Sequence, residues 1–170
     1  GSPAPGMTEV DAKATLEKAL ADQKKLIDRR KADLERWGPN EQAAAKRWFG
    51  SADEKTRQTL RARVEAMEKL NARYGPDNFE AGDPPDPEAY GYVYPHDEEK
   101  IYIDALFADA PESGADSKAG FLCHEMSHFD SVGGTSDHVY GVDASKALAK
   151  RKPAKALDNA DSFQYYLEGL

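Results

Sequence analysis

The segment His124-Glu125-Met126-Ser127-His128 constrains this chain more than any other stretch. On an α-helix, residues i and i+4 lie above one another on the same face, so the two imidazoles can bind one metal ion. Glu125 lies about 100° around such a helix, which brings its carboxylate near a water molecule at that metal without making it a ligand. The spacing therefore predicts a helix that carries two metal ligands and a general base.

The glycine-containing segment after this helix offers a third ligand. A catalytic zinc site needs three protein ligands and one open position. The sequence continues as Gly133-Gly134-Thr135-Ser136-Asp137-His138-Val139-Tyr140-Gly141. The glycine pair permits a backbone φ above zero, which would turn the chain back and return the Asp137 carboxylate to the metal. The Tyr140 hydroxyl could then stand where negative charge develops on a tetrahedral intermediate.

Together the two motifs, HExxH and Gly-Thr-x-Asp-x-x-Tyr-Gly, resemble those of the aspzincin metalloendopeptidases, the deuterolysin and peptidyl-Lys metalloendopeptidase family. Every fixed position of both motifs is present. The resemblance implies that His124, His128 and Asp137 bind Zn²⁺, that Glu125 is the general base, and that Tyr140 donates a hydrogen bond to the transition state. The implied activity is zinc-dependent hydrolysis of internal peptide bonds by metal-activated water.

Other residues compete for the third ligand position. His138 is adjacent to Asp137, although neighbouring side chains point in different directions. Asp158 and Asp161 offer carboxylates from a later helix, as in zincins that take their third ligand there. Asp137 is the best placed of these four by the motif.

The fold class that follows is α+β: a zincin-like single domain, mostly helical, with a small β-sheet beside the HExxH helix. Residues 1–6 are interpreted as an expression scar and residues 7–170 as a single zinc metallopeptidase domain. Within that domain we expect a helical N-terminal half over 8–74 and a sheet and zinc-site half over 89–170.

Three helical patterns with candidate N-caps occupy the N-terminal half. They are predicted to run from Thr8 to Trp37, from Asn40 to Gly50, and from Ser51 to Tyr74. Their dense charges also fit a two-stranded coiled coil. The alternative function is therefore a non-catalytic helical protein-interaction module with a structural or vestigial zinc site.

The middle of the chain is predicted to form a loop followed by a hairpin. Residues 75–89 carry too many prolines for a regular element. Two short alternating patterns then predict a β-hairpin, over 89–94 and 100–107. An edge strand beside the active helix can pair with an extended substrate backbone. We expect that strand to be Ile101, Tyr102 and Ile103, a run that also fits ordinary sheet core.

The segment Asn159-Ala160-Asp161 also resembles the last helix of the family. In lysine-specific members, an Asp at this position and an acid three residues later form the pocket for the substrate lysine on the prime side of the cut. This chain keeps Asp161 but has Gln164 at the second position, so the resemblance implies a weakened lysine preference. Alternatively, Asp161 is a structural hydrogen-bonding residue that orients the Gly-Thr-x-Asp loop.

Composition limits the partners and the compartment. The chain of 170 residues suits one domain. The formal net charge of -8 argues against nucleic-acid binding and favours a cationic substrate or partner. No apolar run reaches membrane-spanning length, so we expect peptide or protein substrates and no membrane partner. The oligomeric state cannot be predicted.

The single cysteine, Cys123, allows no internal disulfide and is expected to be a small buried hydrophobe. No signal peptide is visible. We expect a soluble protein that is secreted or is delivered as a toxin-like effector by a dedicated secretion route. The alternative is a cytoplasmic protein.

Overall fold

The computed structural model describes residues 1–170, in which three N-terminal helices precede a small sheet and four C-terminal helices. The helices are α1 (Glu9–Arg36), α2 (Pro39–Phe49), α3 (Glu54–Arg73), α4 (Lys118–Ser127), α5 (Val142–Arg151), α6 (Pro153–Leu157) and α7 (Ala160–Glu168). The strands are β1 (Phe79–Ala81), β2 (Gly91–Tyr92) and β3 (Ile101–Ile103). The α+β expectation, mostly helical with a small sheet, is confirmed. None of the helices combines the length and the apolar character that a transmembrane span requires.

The N-caps of the first three helices agree only in part with those predicted from the sequence. Thr8 caps α1 as predicted, by accepting a hydrogen bond from the backbone N–H of Asp11 at 3.1 Å. Asn40 does not cap α2, because Pro39 already occupies the first helical turn. Proline tolerates that position since its missing N–H would have no helical partner there. The predicted cap of α3 at Ser51 is likewise wrong.

Asp53 is the N-cap of α3. Its carboxylate accepts a hydrogen bond from the backbone N–H of Thr56 at 2.8 Å. Ser51 lies two residues upstream, and its hydroxyl accepts a hydrogen bond from the backbone N–H of Asp53 at 3.1 Å. The helix therefore begins at Glu54.

The apolar faces of the N-terminal helices are buried inside this chain. The stripe on α1 enters the same core as α3, α4 and α7. Trp48 packs on Tyr165 and Phe49 packs on Tyr166, each pair with ring centroids 5.3 Å apart. A coiled coil with a second chain would need the α1 stripe to be exposed. The helical half is therefore a scaffold for the C-terminal helices, and no unpaired coiled-coil seam remains.

The first residues of the chain contact this core. Ala4 is 1% exposed and belongs to the main apolar cluster. The backbone N–H of Met7 donates a hydrogen bond to the carbonyl oxygen of Ala4 at 3.3 Å. Whatever its origin, the segment interpreted as a scar is packed against the domain.

The sheet contains a strand that the sequence did not reveal. β1 lies within residues 75–89, which were predicted to be loop, and it pairs in parallel with β3, with Phe79 opposite Ile101. The strand is three residues long and is followed closely by Pro84. A period-2 pattern cannot be recognised over so few residues. The hairpin prediction holds, because β2 pairs antiparallel with β3.

The order of the strands corrects the predicted substrate strand. The order is β1-β3-β2, so β3 is the central strand. Both of its backbone edges are already paired, and the side chains of Ile101 and Ile103 are 0% exposed. The prediction that Ile101, Tyr102 and Ile103 bind substrate as an edge strand is therefore wrong. β2 is the edge strand on that side of the sheet.

A substitution at Gly91 in β2 tests how closely the sheet packs against α4. A Cβ atom at this position would meet the carbonyl oxygen of Tyr102 and lie 2.5 Å from the Phe121 ring. We expect Gly91→Ala to lower the free energy of unfolding by about 1–3 kcal/mol, because neither group can move without shifting the sheet or α4. Urea denaturation measures the change. Gly75→Ala is the control, since no atom lies within 4 Å of a Cβ there; equal losses in both variants would contradict the prediction.

Candidate metal centre and active site

Helix α4 carries the predicted metal ligands through the centre of the domain. Ser117 caps it by accepting a hydrogen bond from the backbone N–H of Gly120 at 2.9 Å. Every residue of the helix is buried, including His124 and Glu125. Cys123 is also fully buried, and burial raises the pKa of its thiol. The polar groups of α4 are therefore oriented by protein contacts rather than by solvent.

The chain reverses direction after the end of α4, as predicted from the glycine pair Gly133-Gly134. The backbone N–H groups of Gly133 and Gly134 both donate hydrogen bonds to the carbonyl oxygen of Phe129, at 3.1 and 2.9 Å. Gly134 has a φ of 57°, which glycine adopts without steric cost. The backbone N–H of Thr135 then donates a hydrogen bond to the carbonyl oxygen of Ser127 at 3.1 Å. This turn returns the loop to the helix face that carries the histidines.

A second set of hydrogen bonds holds the returning loop from the other side. The side-chain oxygen of Asn159 accepts from the backbone N–H groups of His138 and Val139, at 2.9 and 3.2 Å. The backbone N–H of Ser136 donates to the carbonyl oxygen of Asp158 at 2.9 Å. Asp137 lies between these anchored residues, so its carboxylate has a defined position.

Three donor atoms meet in a nearly equilateral triangle. The Nε2 atoms of His124 and His128 are 3.3 Å apart, and Oδ1 of Asp137 lies 3.1 and 3.2 Å from them. Metal–ligand bonds of about 2.0–2.1 Å in tetrahedral geometry separate neighbouring ligand atoms by about 3.3 Å. The triangle therefore fits a tetrahedral metal ion with three protein ligands and one open position.

The remaining imidazole nitrogen of each histidine, Nδ1, keeps a proton, which leaves Nε2 of the neutral ring free to bind a metal. Nδ1 of His128 donates a hydrogen bond to the carbonyl oxygen of Thr135 at 2.7 Å, and Nδ1 of His124 donates to Oδ1 of Asp161 at 2.6 Å. A carbonyl oxygen can only accept, so His128 carries its proton on Nδ1. Both Nε2 lone pairs are thereby directed into the triangle, which is the arrangement that metal-binding histidines require.

The carboxylates around the histidines favour a cation at this centre. Burial opposes a charged imidazolium, but Glu125, Asp137 and Asp161 outweigh it and raise the pKa of His124 well above its ordinary value. Partial burial of Asp137 is likewise outweighed by the two imidazoles, which lower the pKa of its carboxyl group. A metal cation satisfies the same negative charge that otherwise holds protons on the histidines.

Glu125 and Tyr140 lie beside the triangle without belonging to it. The Glu125 carboxylate is 6% exposed and approaches Nε2 of His124 at 3.7 Å. Burial raises the pKa of Glu125 to about 7. Tyr140 is 67% exposed at the rim. Its partial burial, followed by the neighbouring Asp137 carboxylate, raises the pKa of Tyr140 to about 12, so its hydroxyl remains a hydrogen-bond donor near neutral pH.

A cavity of about 560 Å³ opens onto this centre. One wall is formed by residues 88–93, which include β2, and another by the N-terminal half of α7. The triangle, Glu125 and Tyr140 line the cavity between these walls. None of Ile101, Tyr102 and Ile103 lines it. The cavity has the size of a small-molecule or side-chain site and lies directly at the open position.

The rival ligands lie outside the triangle. Nε2 of His138 pairs with Asp158 at 2.9 Å. Asp161 contacts Nδ1 of His124 rather than Nε2, and its second oxygen accepts a hydrogen bond from the backbone N–H of Gly141 at 2.8 Å. Asp161 therefore orients a histidine and the loop, as the structural alternative expected. Gln164, the other predicted pocket residue, is buried and lines the cavity.

Three polar groups of the site carried no signal that we recognised in the sequence. They are the carbonyl oxygen of Thr135, the side chain of Asn159 and the carboxylate of Asp116, which lines the cavity. Asn159 precedes α7 and its amide could have been considered as a loop anchor. Asp116 lies in the loop before α4, where nothing local shows which residues a carboxylate contacts.

Comparison with known proteins places this site in context. A family model described as "Lysine-specific metallo-endopeptidase" matches residues 38–168. A peptidyl-Lys metalloendopeptidase of Pleurotus ostreatus is 45% identical over 83 residues, which is 49% of each chain. An extracellular protease of Aeromonas hydrophila is 46% identical over 79 residues, which is 46% of this chain and 23% of that protein. The matched segments thus span about half or less of the length of these relatives.

A solved structure extends the likeness over the whole domain. The zinc peptidase from Grifola frondosa superposes with a TM-score of 0.83 at 28% identity, covering 96% of this chain and 97% of that one. The fold and the arrangement of elements around α4 are therefore shared with that protein.

The contact between Asp161 and His124 predicts an effect on metal affinity. We expect Asp161→Asn to weaken metal binding by about 10- to 100-fold, because the amide no longer fixes the imidazole by a charged hydrogen bond. Competition with a chromophoric chelator measures the affinity, and circular dichroism verifies folding. Asp158→Asn is the matched control, since its carboxylate contacts His138 outside the triangle. Unchanged affinity in Asp161→Asn would disprove the positioning role.

Proposed function

The chain belongs to the aspzincin family of lysine-specific metallo-endopeptidases, and on that premise we propose that it is a zinc-dependent endopeptidase. The observation that carries the proposal is the donor triangle of His124, His128 and Asp137, open towards a cavity beside Glu125 and Tyr140. A metal site closed by four protein ligands would be structural, whereas three ligands and an open position suit catalysis.

Zn²⁺ is the metal that we propose for this site. Two imidazole nitrogens and one carboxylate oxygen are ligands that zinc accepts, and the spacing of 3.1–3.3 Å between donors fits its tetrahedral bonds. When bound, the ion supplies Lewis acidity that activates water and polarises the scissile carbonyl group at neutral pH. His124, His128 and Asp137 hold it.

Glu125 is the proposed general base. Its carboxylate lies 3.7 Å from Nε2 of His124 but outside the donor triangle, so it remains available to exchange protons. It accepts a proton from the attacking water molecule and delivers that proton to the amine that leaves. Its burial excludes bulk water, which would otherwise compete for the same proton.

Tyr140 is the proposed donor to the oxyanion. Tyr140 lines the cavity at the rim and is 67% exposed. It donates a hydrogen bond to the oxygen on which negative charge develops as the carbonyl carbon becomes tetrahedral. Its exposure lets a substrate backbone approach without displacing buried groups.

Strand β2 is the proposed platform for an extended substrate. The backbone N–H of Asp104 donates a hydrogen bond to the carbonyl oxygen of Tyr90, and Tyr92 lies opposite Tyr102. Backbone groups alternate in direction along a strand, so the N–H and C=O of Gly91 face away from β3. A peptide can therefore add as a further strand along this free edge, next to the metal.

A cationic side chain is the proposed specificity element of the substrate. The cavity is lined by five carboxylate residues and by no lysine or arginine. The relatives from Pleurotus ostreatus and Grifola frondosa are named peptidyl-Lys metalloendopeptidases. We also propose that the protein acts outside the cell, as the name of the Aeromonas hydrophila relative suggests.

Two substitutions separate metal binding from catalysis. We expect Glu125→Gln to retain one metal ion per chain but to lower kcat by at least about 100-fold, because the amide cannot accept a proton. His128→Ala should lose both metal and activity, since two ligands do not form the site. Incubation with a denatured protein mixture, with and without chelator, followed by mass spectrometry of new termini measures cleavage. Full activity of Glu125→Gln would reject the mechanism.

The role of Tyr140 predicts a second kinetic effect. We expect Tyr140→Phe to lower kcat by about 10²- to 10³-fold with unchanged metal content, because one oxyanion hydrogen bond is removed. Tyr94→Phe is the matched control, since Tyr94 is also exposed but does not line the cavity. Steady-state cleavage of a fluorogenic peptide compares them, and equal rates in the two variants would exclude the oxyanion role.

A further inference from the structure

One end of the cavity is lined by a row of residues on α7. Asp161, Gln164 and Tyr165 lie at positions i, i+3 and i+4, so they share one helix face, and all three line the cavity. Opposite them lies Asp116, from the loop that precedes α4, which also lines the cavity. This group forms a pocket next to the metal centre, and we call it the α7 pocket.

Asp116 is held in the α7 pocket by two neutral donors. Its Oδ1 accepts hydrogen bonds from Nε2 of Gln164 at 3.0 Å and from the Tyr165 hydroxyl at 2.9 Å. Burial raises the pKa of Tyr165, so that hydroxyl stays neutral. Neutral donors stabilise a carboxylate without cancelling its charge. Oδ2 of Asp116 accepts no hydrogen bond from this chain, and therefore remains available to a ligand.

Gln164 presents its oxygen to the same pocket. Its Nε2 donates to Asp116 and also to Oε1 of Glu168, at 3.2 Å. Carboxylate oxygens accept hydrogen bonds, so the amide nitrogen must be on their side and the amide oxygen on the opposite side. That oxygen has no partner within the chain, and it is not among the polar atoms sealed from solvent. It therefore faces the cavity as a neutral acceptor.

Asp161 is less available than Asp116. Its two oxygens accept hydrogen bonds from Nδ1 of His124 at 2.6 Å and from the backbone N–H of Gly141 at 2.8 Å. Its charge still contributes to the potential of the pocket, but its side chain serves the metal centre. Asp116 is thus the carboxylate of the α7 pocket that has an uncommitted oxygen.

We infer that Asp116 is the specificity-determining residue that binds the positively charged side chain of the substrate in the α7 pocket. This inference rests on the proposed function of the site. A lysine ammonium donates to Oδ2 of Asp116 and to the amide oxygen of Gln164, two acceptors that suit a compact cation with several N–H donors. A guanidinium prefers two parallel bonds to one carboxylate. Because Oδ1 of Asp116 is occupied, the pocket favours lysine over arginine.

Asp116→Asn is the variant that tests the inference. Asp116 has a φ of 55°, a conformation that asparagine tolerates well among residues with side chains. The new amide keeps its oxygen towards Gln164 and Tyr165 and turns its NH₂ group to the cavity, where it faces the ammonium. Asp109→Asn is the matched control, because this exposed aspartate lies outside the cavity and changes the net charge equally.

The measurement is the ratio of affinities for two peptides that differ only by lysine or norleucine at the selected position. Binding is measured on zinc-loaded protein that carries Glu125→Gln, so that no cleavage occurs. We expect Asp116→Asn to lower the lysine-to-norleucine ratio by about 10- to 100-fold, the effect of one charge-assisted hydrogen bond. Asp109→Asn should leave the ratio unchanged. Arginine in the same position should bind less tightly than lysine.

An unchanged ratio in Asp116→Asn, or an equal fall in Asp109→Asn, overturns the inference. If Asp116→Asn does not fold, as judged by its thermal transition, Asp116→Gly replaces it, since glycine adopts the same φ. Cleavage by the protein without substitutions is measured in parallel. A protein that cleaves no peptide but loses lysine selectivity on Asp116→Asn refutes the proposed peptidase activity and supports the role of Asp116. If the protein cleaves peptides but Asp116→Asn leaves the lysine-to-norleucine ratio unaltered, the peptidase activity is supported and the role of Asp116 is refuted.

Discussion

The arrangement of the candidate metal centre depends on the two hydrogen bonds that the Asp161 carboxylate accepts. One oxygen orients the imidazole of His124, and the other holds the backbone of Gly141 just beyond Tyr140. A single side chain thereby connects α4, the returning loop and α7. Since buried charges are costly unless they are hydrogen-bonded, this carboxylate is stable only while all three elements are in place. The proposed metal ligands and Tyr140 are consequently positioned together rather than separately.

Helices α1 and α3 pack against α4, a mostly apolar helix that carries the polar side chains of His124 and Glu125 into the interior. Gln23 of α1 contacts the sulfur of Met126 at 3.2 Å, and Arg30 of the same helix donates a hydrogen bond to the carbonyl oxygen of Tyr166 at 2.5 Å. The first contact holds α1 against α4, and the second, with the aromatic pairs of α2 and α7, holds the N-terminal helices against α7. Rigid surroundings keep catalytic groups within the narrow tolerance that catalysis requires.

The sequence predicts local features well and non-local ones poorly. The helix that carries His124 and His128 and the reversal at Gly134 depend on residues within a few positions of one another, and both are visible in the sequence. The central position of β3 depends on the pairing of β1 with β3, which no local pattern reports. The contact of Asp116 with Gln164 joins residues 48 positions apart. The family resemblance implied the ligand set and a role for position 164, but it carried no information about Asp116, the partner of Gln164.

Selection of the substrate and activation of the scissile bond use different carboxylates of one acidic cavity. Asp137 completes the donor triangle and Asp161 contacts His124, so the histidines offset much of their negative charge, as would the metal ion proposed for the triangle. The Asp116 side chain accepts hydrogen bonds only from neutral donors, so its negative charge remains available to a ligand. Electrostatic attraction decays with distance and with solvent screening, so a cation is drawn to a carboxylate that keeps its charge close to the reacting bond. The replacement of an acid by glutamine at position 164 is then compatible with lysine recognition, because the amide anchors Asp116 while its own oxygen still accepts from the substrate.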